Sequence, residues 1–170
     1  MNPYPEITLT RENIAFCEDI GSRRYANAVA RGLAHGAPMG ERAHIAGALA
    51  ECAAYRHFGP VYWNAHTLDV GEPDLDHFID VKWRGAAHHK LIVGEKARRD
   101  WAYLLVCGAE HPLYRIVGWA WGDDAMQPMW WNPANHTPAY YLPARFLSVA
   151  ATLMSELRRR QASRLKGVAL

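Results

Sequence analysis

The sequence lacks a long hydrophobic run and a recognisable secretion signal. Its longest nearly unbroken apolar stretch, residues 101–109, is far shorter than the roughly 20 residues with which a helix spans a bilayer. Pro3, Pro5 and Glu6 stand where a signal peptide needs basic and then apolar residues. We therefore expect no membrane segment and a cytoplasmic location.

The sequence is also poor in cysteine, and it has neither a glycine-rich phosphate loop nor a serine nucleophile elbow. The three cysteines, Cys17, Cys52 and Cys107, are widely separated and odd in number. This pattern favours reduced, buried thiols over a disulfide framework or a zinc site. Since both motifs are missing, the sequence gives no support to an ATPase or a serine hydrolase.

The histidines do not show the spacing of metal ligands. His88 and His89 are adjacent, so in a predicted strand they point to opposite faces, and His111 and His136 lie far away in predicted loops. A calcium loop of the EF-hand type within residues 71–84 also fails on spacing, because glycine and proline stand where ligands are required.

The 170 residues, half of them hydrophobic and about a fifth charged, predict a single α/β domain. Residues 66–80 contain five acids and no lysine or arginine, whereas residues 141–170 contain six lysines and arginines against one glutamate. An acidic cluster beside basic stretches suits a metal-dependent enzyme that acts on polyphosphate. Solvated basic helix ends would give the same basic stretches.

Three helices are predicted from capping residues and apolar spacing. The first begins at Thr8 or Thr10 and extends to about residue 31, the second covers residues 41–58 and ends at Gly59, and the last covers about residues 144–160. The last helix should bury an apolar stripe formed by Phe146, Leu147, Val149, Ala150, Leu153 and Leu157.

Runs of β-branched and aromatic residues predict strands between these helices. The predicted strands are residues 61–68, 78–84, 88–93, 101–107 and 113–121, with a short helical turn at 95–99 and a loop at 122–138.

The strand at residues 78–84 carries the most unusual pattern in the chain. Its apolar residues share one face, and Asp80, Lys82 and Arg84 share the other. A second carboxylate, Asp74, lies a few residues earlier. This arrangement can hold a divalent cation on oxygen ligands with a positive charge beside it.

Pro73-Asp74, Asp80-Val81-Lys82 and Glu51 in the preceding helix occur in an order that resembles the PD-(D/E)xK nuclease superfamily. The resemblance implies a restriction-endonuclease-like core at about residues 41–150, with a mixed central β-sheet flanked by helices. Residues 1–40 would be a helical extension and residues 144–170 a basic C-terminal helix. The spacing between Asp74 and Asp80 is short for the family, so it demands a tight hairpin and leaves Asp69 or Asp76 as rival ligands.

The resemblance implies a Mg²⁺-dependent deoxyribonuclease, with Mn²⁺ as a substitute ion, in a bacterial or phage-infected cell. Asp74 would be the bridging metal ligand, and Asp80 and the Val81 carbonyl would be further ligands. Glu51 would contact the metal, its water or a second ion. Lys82 would orient or deprotonate the attacking water, or stabilise developing charge. An endonuclease is favoured over an exonuclease, and a homodimer is expected where two DNA strands are cut.

Bases that follow the motif are the candidates for contact with the nucleic acid backbone: Arg84, Lys90, Lys96, Arg98 and Arg99. Trp130 and Trp131 either stack on bases or belong to a core or dimer interface. The alternative function is a non-catalytic nucleic-acid-binding or assembly protein. In that case Asp80 and Lys82 form an ion pair at a strand edge, and Glu51 is solvated or paired with a base such as Arg56.

Overall fold

A computed structural model describes residues 3–33, 40–66, 71–108, 112–134 and 138–167. The helices are α1 (Arg11–Ala30), α2 (Glu41–Phe58), α3 (Gly122–Ala125) and α4 (Leu153–Gly167). The strands are β1 (Glu6–Thr8), β2 (Ile79–Arg84), β3 (Leu91–Gly94), β4 (Ala102–Cys107), β5 (Leu113–Trp121), β6 (Trp131–Asn132) and β7 (Ala139–Leu142). Short 3₁₀ turns lie at Pro128–Trp130, Ala144–Phe146 and Ala150–Thr152. No helix in the described ranges has the length and hydrophobicity needed to cross a membrane.

The main sheet has four strands in the order β1-β5-β4-β2, and a separate antiparallel sheet has the order β3-β7-β6. β2 and β4 are parallel, whereas β4–β5 and β5–β1 are antiparallel. The predicted mixed sheet flanked by helices is therefore confirmed at the level of fold class. The second sheet was not predicted, because its strands β6 and β7 are only two and four residues long.

Every residue of β4 is buried because both faces of the main sheet are covered. Leu104 and Val106 face a core shared with α1, α2 and α4, whereas Tyr103 and Leu105 face a second core shared with the smaller sheet. β2 is in register with β4, pairing Asp80 with Tyr103 and Lys82 with Leu105. The polar face of β2 is therefore directed toward the smaller sheet, away from the helices.

The first predicted helix is present, and Thr10 is its cap. The Thr10 hydroxyl accepts a hydrogen bond from the Asn13 amide at 3.2 Å, and the Asn13 side chain accepts one from the Thr10 amide at 3.3 Å. The segment before residue 41 also supplies β1, and it buries Leu9, Cys17 and Ile20 in the core on the helix side. The expected helical extension is thus packed into the same core as the rest of the chain.

Several sequence expectations are wrong where the chain leaves regular structure. Residues 61–66 form no strand and only the single bridge Trp63–Leu75, and residues 67–70 of that prediction lie outside the described ranges. The helical turn expected at residues 95–99 is absent: turns occupy this part of the connection between the parallel strands β2 and β4. This connection also contains β3, which overlaps the strand predicted at residues 88–93.

The last helix begins at Leu153, later than predicted, because the bridge between Ser148 and Trp119 interrupts helical geometry and separates two 3₁₀ turns, Ala144–Phe146 and Ala150–Thr152. Leu153, Leu157 and Ala150 are buried as expected. Phe146 and Val149 were expected in the same stripe but are 51% and 68% exposed. Helical spacing cannot hold across the break, so these two side chains lie on the surface.

Helices α1 and α2 approach each other closely at Gly21, where a Cβ atom would lie 2.5 Å from the Ile45 Cα. Gly21→Ala is expected to lower the free energy of unfolding by about 1–3 kcal/mol, since a backbone atom cannot move aside as a flexible side chain can. The matched control is Gly47→Ala within α2, where an added Cβ has no atom within 4 Å. It should raise stability by about 0.5–1 kcal/mol. Urea unfolding of both variants measures the contrast, and stabilisation by both would contradict close helix packing.

Candidate functional site

Asp74 lies at the edge of β2 and is fixed by the backbone of that strand. Its Oδ2 atom accepts a hydrogen bond from the Val81 amide at 2.7 Å. The Asp74 amide donates to the Ile79 carbonyl at 2.9 Å, and the Leu75 amide donates to the same oxygen at 3.0 Å. The tight hairpin demanded by the short spacing between Asp74 and Asp80 is therefore present, and it places the Asp74 carboxylate beside β2.

Two residues at the tip of this hairpin adopt left-handed backbone conformations. Asp76 has φ 45° and His77 has φ 61°, and the Asp76 amide donates to the Tyr62 carbonyl at 2.8 Å. The His77 ring stacks on Tyr62 at 4.9 Å between ring centroids. Asp76, one of the rival ligands, thus belongs to the turn itself. The other rival, Asp69, lies outside the described residues.

The Glu51 carboxylate is buried on the helix side of the sheet and bound by an arginine from α1. Arg24 donates to its two oxygens at 2.5 and 2.8 Å, and Trp63 Nε1 donates at 3.1 Å. Glu51 is only 4% exposed. Glu51 is therefore paired with a base, as one of the alternatives considered from sequence expected, but the base is Arg24 and not Arg56, which is exposed.

Arg24 was missed in the sequence analysis. Burial works to lower its pKa, but the hydrogen bonds and negative charge of Glu51 outweigh burial and raise it. The available signal was its position: Arg24 follows Cys17 and Ile20 at spacings of seven and four, on the buried face of α1. A lone arginine on an apolar helix face needs a buried acidic partner.

Asp80 and Lys82 form an ion pair on the opposite face of β2. Lys82 Nζ lies 2.8 Å from Asp80 Oδ1, and the two side chains are 35% and 18% exposed. The same ammonium lies 5.8 Å from the centroid of the Tyr103 ring. The structure therefore contains the strand-edge pair that was considered for a non-catalytic protein, with the lysine held between a carboxylate and an aromatic ring.

The charges of these groups act on Asp74 from both sides of the sheet. Burial raises the pKa of Asp74 well above its usual value, and repulsion from Glu51 and Asp80 raises it further. The Val81 amide and Lys82 act in the opposite direction but do not cancel the shift. The pKa of Asp74 is therefore influenced by each of the other predicted catalytic side chains: Glu51, Asp80 and Lys82.

The structure does not bring the three predicted carboxylate ligands, Glu51, Asp74 and Asp80, together in one metal site. Within the described ranges, no three His, Cys, Asp or Glu side chains are grouped closely enough to hold a metal ion. Glu51 is held by Arg24 and Trp63 on the helix side, and Asp80 lies on the other face of the sheet. Asp74 and Asp80 remain the candidate oxygen ligands, since they are close enough for the Asp80 charge to raise the pKa of Asp74, and Mg²⁺ is often bound by one or two carboxylates with waters.

The Val81 carbonyl, a further predicted ligand, lies on the same edge of β2 as the Asp74 carboxylate. The amide and the carbonyl of one strand residue point to the same side, and the Val81 amide points to Asp74. Its role as a metal ligand stays a prediction.

The predicted backbone-contacting bases are not equivalent in the structure. Arg84 and Lys90 line one cleft. Arg98 is bound by both oxygens of Asp100 at 3.0 Å and lies over Trp101, so its charge is already compensated. Lys96 and Arg99 are exposed in the turns between β3 and β4.

His88 and His89 do not occupy a strand, and the expectation that they point to opposite sides is wrong. β3 begins after them, and both rings line the cleft that contains Arg84, with ring centroids 4.5 Å apart. His111 and His136 lie outside the described residues.

Trp130 and Trp131 both pack against protein groups. Trp130 lies 5.0 Å from the Phe146 ring and contributes to the second core, and Trp131 lies 4.8 Å from the Tyr140 ring. Packing within the chain, one of the two roles considered from sequence, accounts for these contacts.

Comparisons with protein-family models, curated proteins and solved structures found no match to this chain. The functional assignment therefore depends on the residues and contacts described above.

Proposed function

We propose that the protein is a metal-dependent deoxyribonuclease in which Asp74 and Asp80 bind Mg²⁺ and Lys82 acts beside the attacking water. One observation carries the proposal: the Asp74 carboxylate is fixed against the Val81 amide at the edge of the strand that holds Asp80 and Lys82 as a pair. This supports the proposal because a rigid strand and a tight hairpin hold two carboxylates and an ammonium, the groups that a Mg²⁺ site of this kind needs, on neighbouring parts of the chain.

The balance of charge supports a cation at this place. Three carboxylates, Glu51, Asp74 and Asp80, stand against two bases, Arg24 and Lys82, so the fully ionised cluster has an excess of one negative charge. A divalent ion would relieve the repulsion that Asp74 experiences from both sides. When bound, it would polarise a phosphate oxygen and lower the pKa of a bound water.

The chain's own residues would have separate roles in phosphodiester hydrolysis. Asp74 and Asp80 would hold the ion, and the Val81 carbonyl would be a further oxygen ligand. Lys82 would orient the water or stabilise charge on the leaving oxygen from its position beside Asp80. Glu51, fixed by Arg24, would act as a negative charge behind Asp74 and so increase its tendency to bind a cation.

A non-catalytic nucleic-acid-binding protein is the second candidate, and a specific observation favours it. Glu51 is satisfied by Arg24 and Trp63, and Asp80 is satisfied by Lys82, so only Asp74 lacks a basic partner at bonding distance among these described acids. Such a site could persist without a metal.

The deciding experiment incubates the protein with supercoiled plasmid, linear duplex and single strands in Mg²⁺, Mn²⁺ or chelator. We expect metal-dependent nicking of the plasmid that is lost in Asp80→Ala, because this change removes a ligand and the partner of Lys82. Asp19→Ala is the control: it removes a carboxylate from an exposed α1 ion pair and should leave cleavage unchanged. Binding without cleavage in every condition would establish the second candidate.

A homodimer remains part of the proposal for double-strand cleavage. Sedimentation of the protein with bound duplex is expected to show two chains per DNA, and a single chain on cleaved duplex would contradict this.

A further inference from the structure

A basic cleft lies at the end of β2, on the same face of the strand as Asp80 and Lys82. Its volume is about 350 Å³, and it is lined by Arg84, His88, His89, Lys90, Ile92 and Tyr141. Among the described residues that line it there is no carboxylate. Ile92 and Tyr141 are opposite each other in the β3–β7 pair, so the smaller sheet contributes the apolar and aromatic part of the cleft.

Arg84 is the half-buried base of this cleft. Burial lowers the pKa of its guanidinium, and the groups that act to raise it are Tyr141 and Cys107 rather than an aspartate or glutamate. A guanidinium that is partly desolvated without a carboxylate partner gains most from an anion that can accept two parallel hydrogen bonds, as phosphate does. His88, His89 and Lys90 are exposed around it and supply further donors.

The position of the cleft relates it to the proposed metal site. Arg84 is four residues from Asp80 on the same strand face, which corresponds to about 13 Å at the rise of a β-strand. Successive phosphates of one nucleic acid strand advance by about 3.4 Å along a duplex axis. A strand with one phosphate at Asp74 and Asp80 can therefore place a phosphate a few nucleotides away in the cleft.

We propose that this cleft binds a phosphate group of the nucleic acid strand whose scissile bond lies at Asp74 and Asp80, with Arg84 and Lys90 as its main ligands. The inference rests on the proposed function, and it fixes the direction of the substrate: along β2 from the carboxylates toward Arg84. The phosphate is either internal to the strand or its terminal monoester, and the two sources are separated by experiment.

The test measures binding in chelator, where no turnover occurs. The probes are 12-nucleotide single strands that carry a 3′ fluorophore and either a 5′-hydroxyl or a 5′-phosphate, and fluorescence anisotropy gives Kd at several salt concentrations. The variant Arg84→Gln/Lys90→Gln should bind about tenfold more weakly, and its salt slope should be smaller by about 0.7, since the cleft neutralises one phosphate and each phosphate of a single strand contributes about 0.7. Equal weakening for both probes assigns an internal phosphate, and weakening only of the 5′-phosphorylated probe assigns the terminus; either result supports the cleft.

Two control variants distinguish the loss of charge at the cleft from the loss of a positive charge elsewhere and from misfolding. Arg159→Gln removes a base that is paired with Glu156 on α4 and should leave Kd unchanged. Lys90→Gln alone alters only an exposed side chain, so a roughly threefold loss there would exclude misfolding as the cause. Unchanged Kd and salt slope in the double variant, or no binding of either probe by the unaltered protein at low salt, would overturn the inference. If the protein binds through the cleft but does not cleave in Mg²⁺, the nuclease proposal is rejected, whereas phosphate binding by the cleft is retained.

Discussion

Asp74→Asn is expected to lower metal-dependent cleavage by about 100- to 10,000-fold, since a catalytic metal contributes several kcal/mol and each 1.36 kcal/mol is a factor of ten. The asparagine oxygen can still accept the hydrogen bond that Val81 donates to Asp74, so the hairpin should keep its geometry. In chelator, the same variant should be more stable than the unaltered protein, because it removes a carboxylate whose charged form is disfavoured by desolvation and repelled by Glu51 and Asp80. Loss of activity combined with gain of stability is the signature of a metal ligand.

The pH dependence of stability gives an independent measure of the raised pKa of Asp74. Because burial and the neighbouring acids raise its pKa in the folded state, the folded protein retains a proton that the unfolded chain loses above the usual aspartate pKa of about 4. Stability in chelator should therefore fall as pH rises from that value through the raised one. Asp74→Asn should lack this decline, which thermal unfolding at a series of pH values will show.

Asp76→Asn is the matched control for both measurements. It makes the same chemical change two residues away, at a left-handed position that asparagine tolerates. Activity and the pH profile should remain as in the unaltered protein. Loss of cleavage in Asp76→Asn with full activity in Asp74→Asn would transfer the ligand role to the hairpin tip.

Arg24→Met is expected to lower the free energy of unfolding by about 3–5 kcal/mol, the usual cost of leaving one charge of a buried pair without its partner. Glu51 would then be buried with only the Trp63 hydrogen bond. Methionine fills much of the volume of the arginine stem, so the loss reports the charge more than the packing. Denaturant unfolding measures the effect.

The double variant Arg24→Met/Glu51→Met tests the reason for that loss. With both charges removed, stability should recover to within about 1–2 kcal/mol of the unaltered protein, because a buried ion pair often contributes little more than apolar residues of similar size. An exposed pair gives the comparison: Arg23→Met should cost less than about 1 kcal/mol, since Arg23 and its partner Asp19 are mostly exposed. Equal losses in Arg24→Met and in the double variant would show that packing, rather than charge, is responsible.

The sequence by itself determined the local parts of the candidate site. Alternation of polar and apolar residues placed Asp80 and Lys82 on one face of a strand, and the short spacing to Asp74 required the hairpin that the structure contains. The bounds of α2 and β5 agree with prediction as well: α2 ends at Phe58 with Gly59 as its cap, and β5 covers Leu113–Trp121. These features depend on neighbours in the chain, which the sequence displays directly.

Tertiary structure decided which charges meet. Arg24 and Glu51 are 27 residues apart, and only the packing of α1 on α2 at Gly21 brings them together. Glu51 and Asp80 lie on opposite sides of the main sheet because α1, α2 and α4 cover the side away from Asp80. The cleft at Arg84 exists because β3 and β7 form a second sheet. Such contacts depend on how separate elements pack, and burial then sets their strength, so periodicity within one segment could not reveal them.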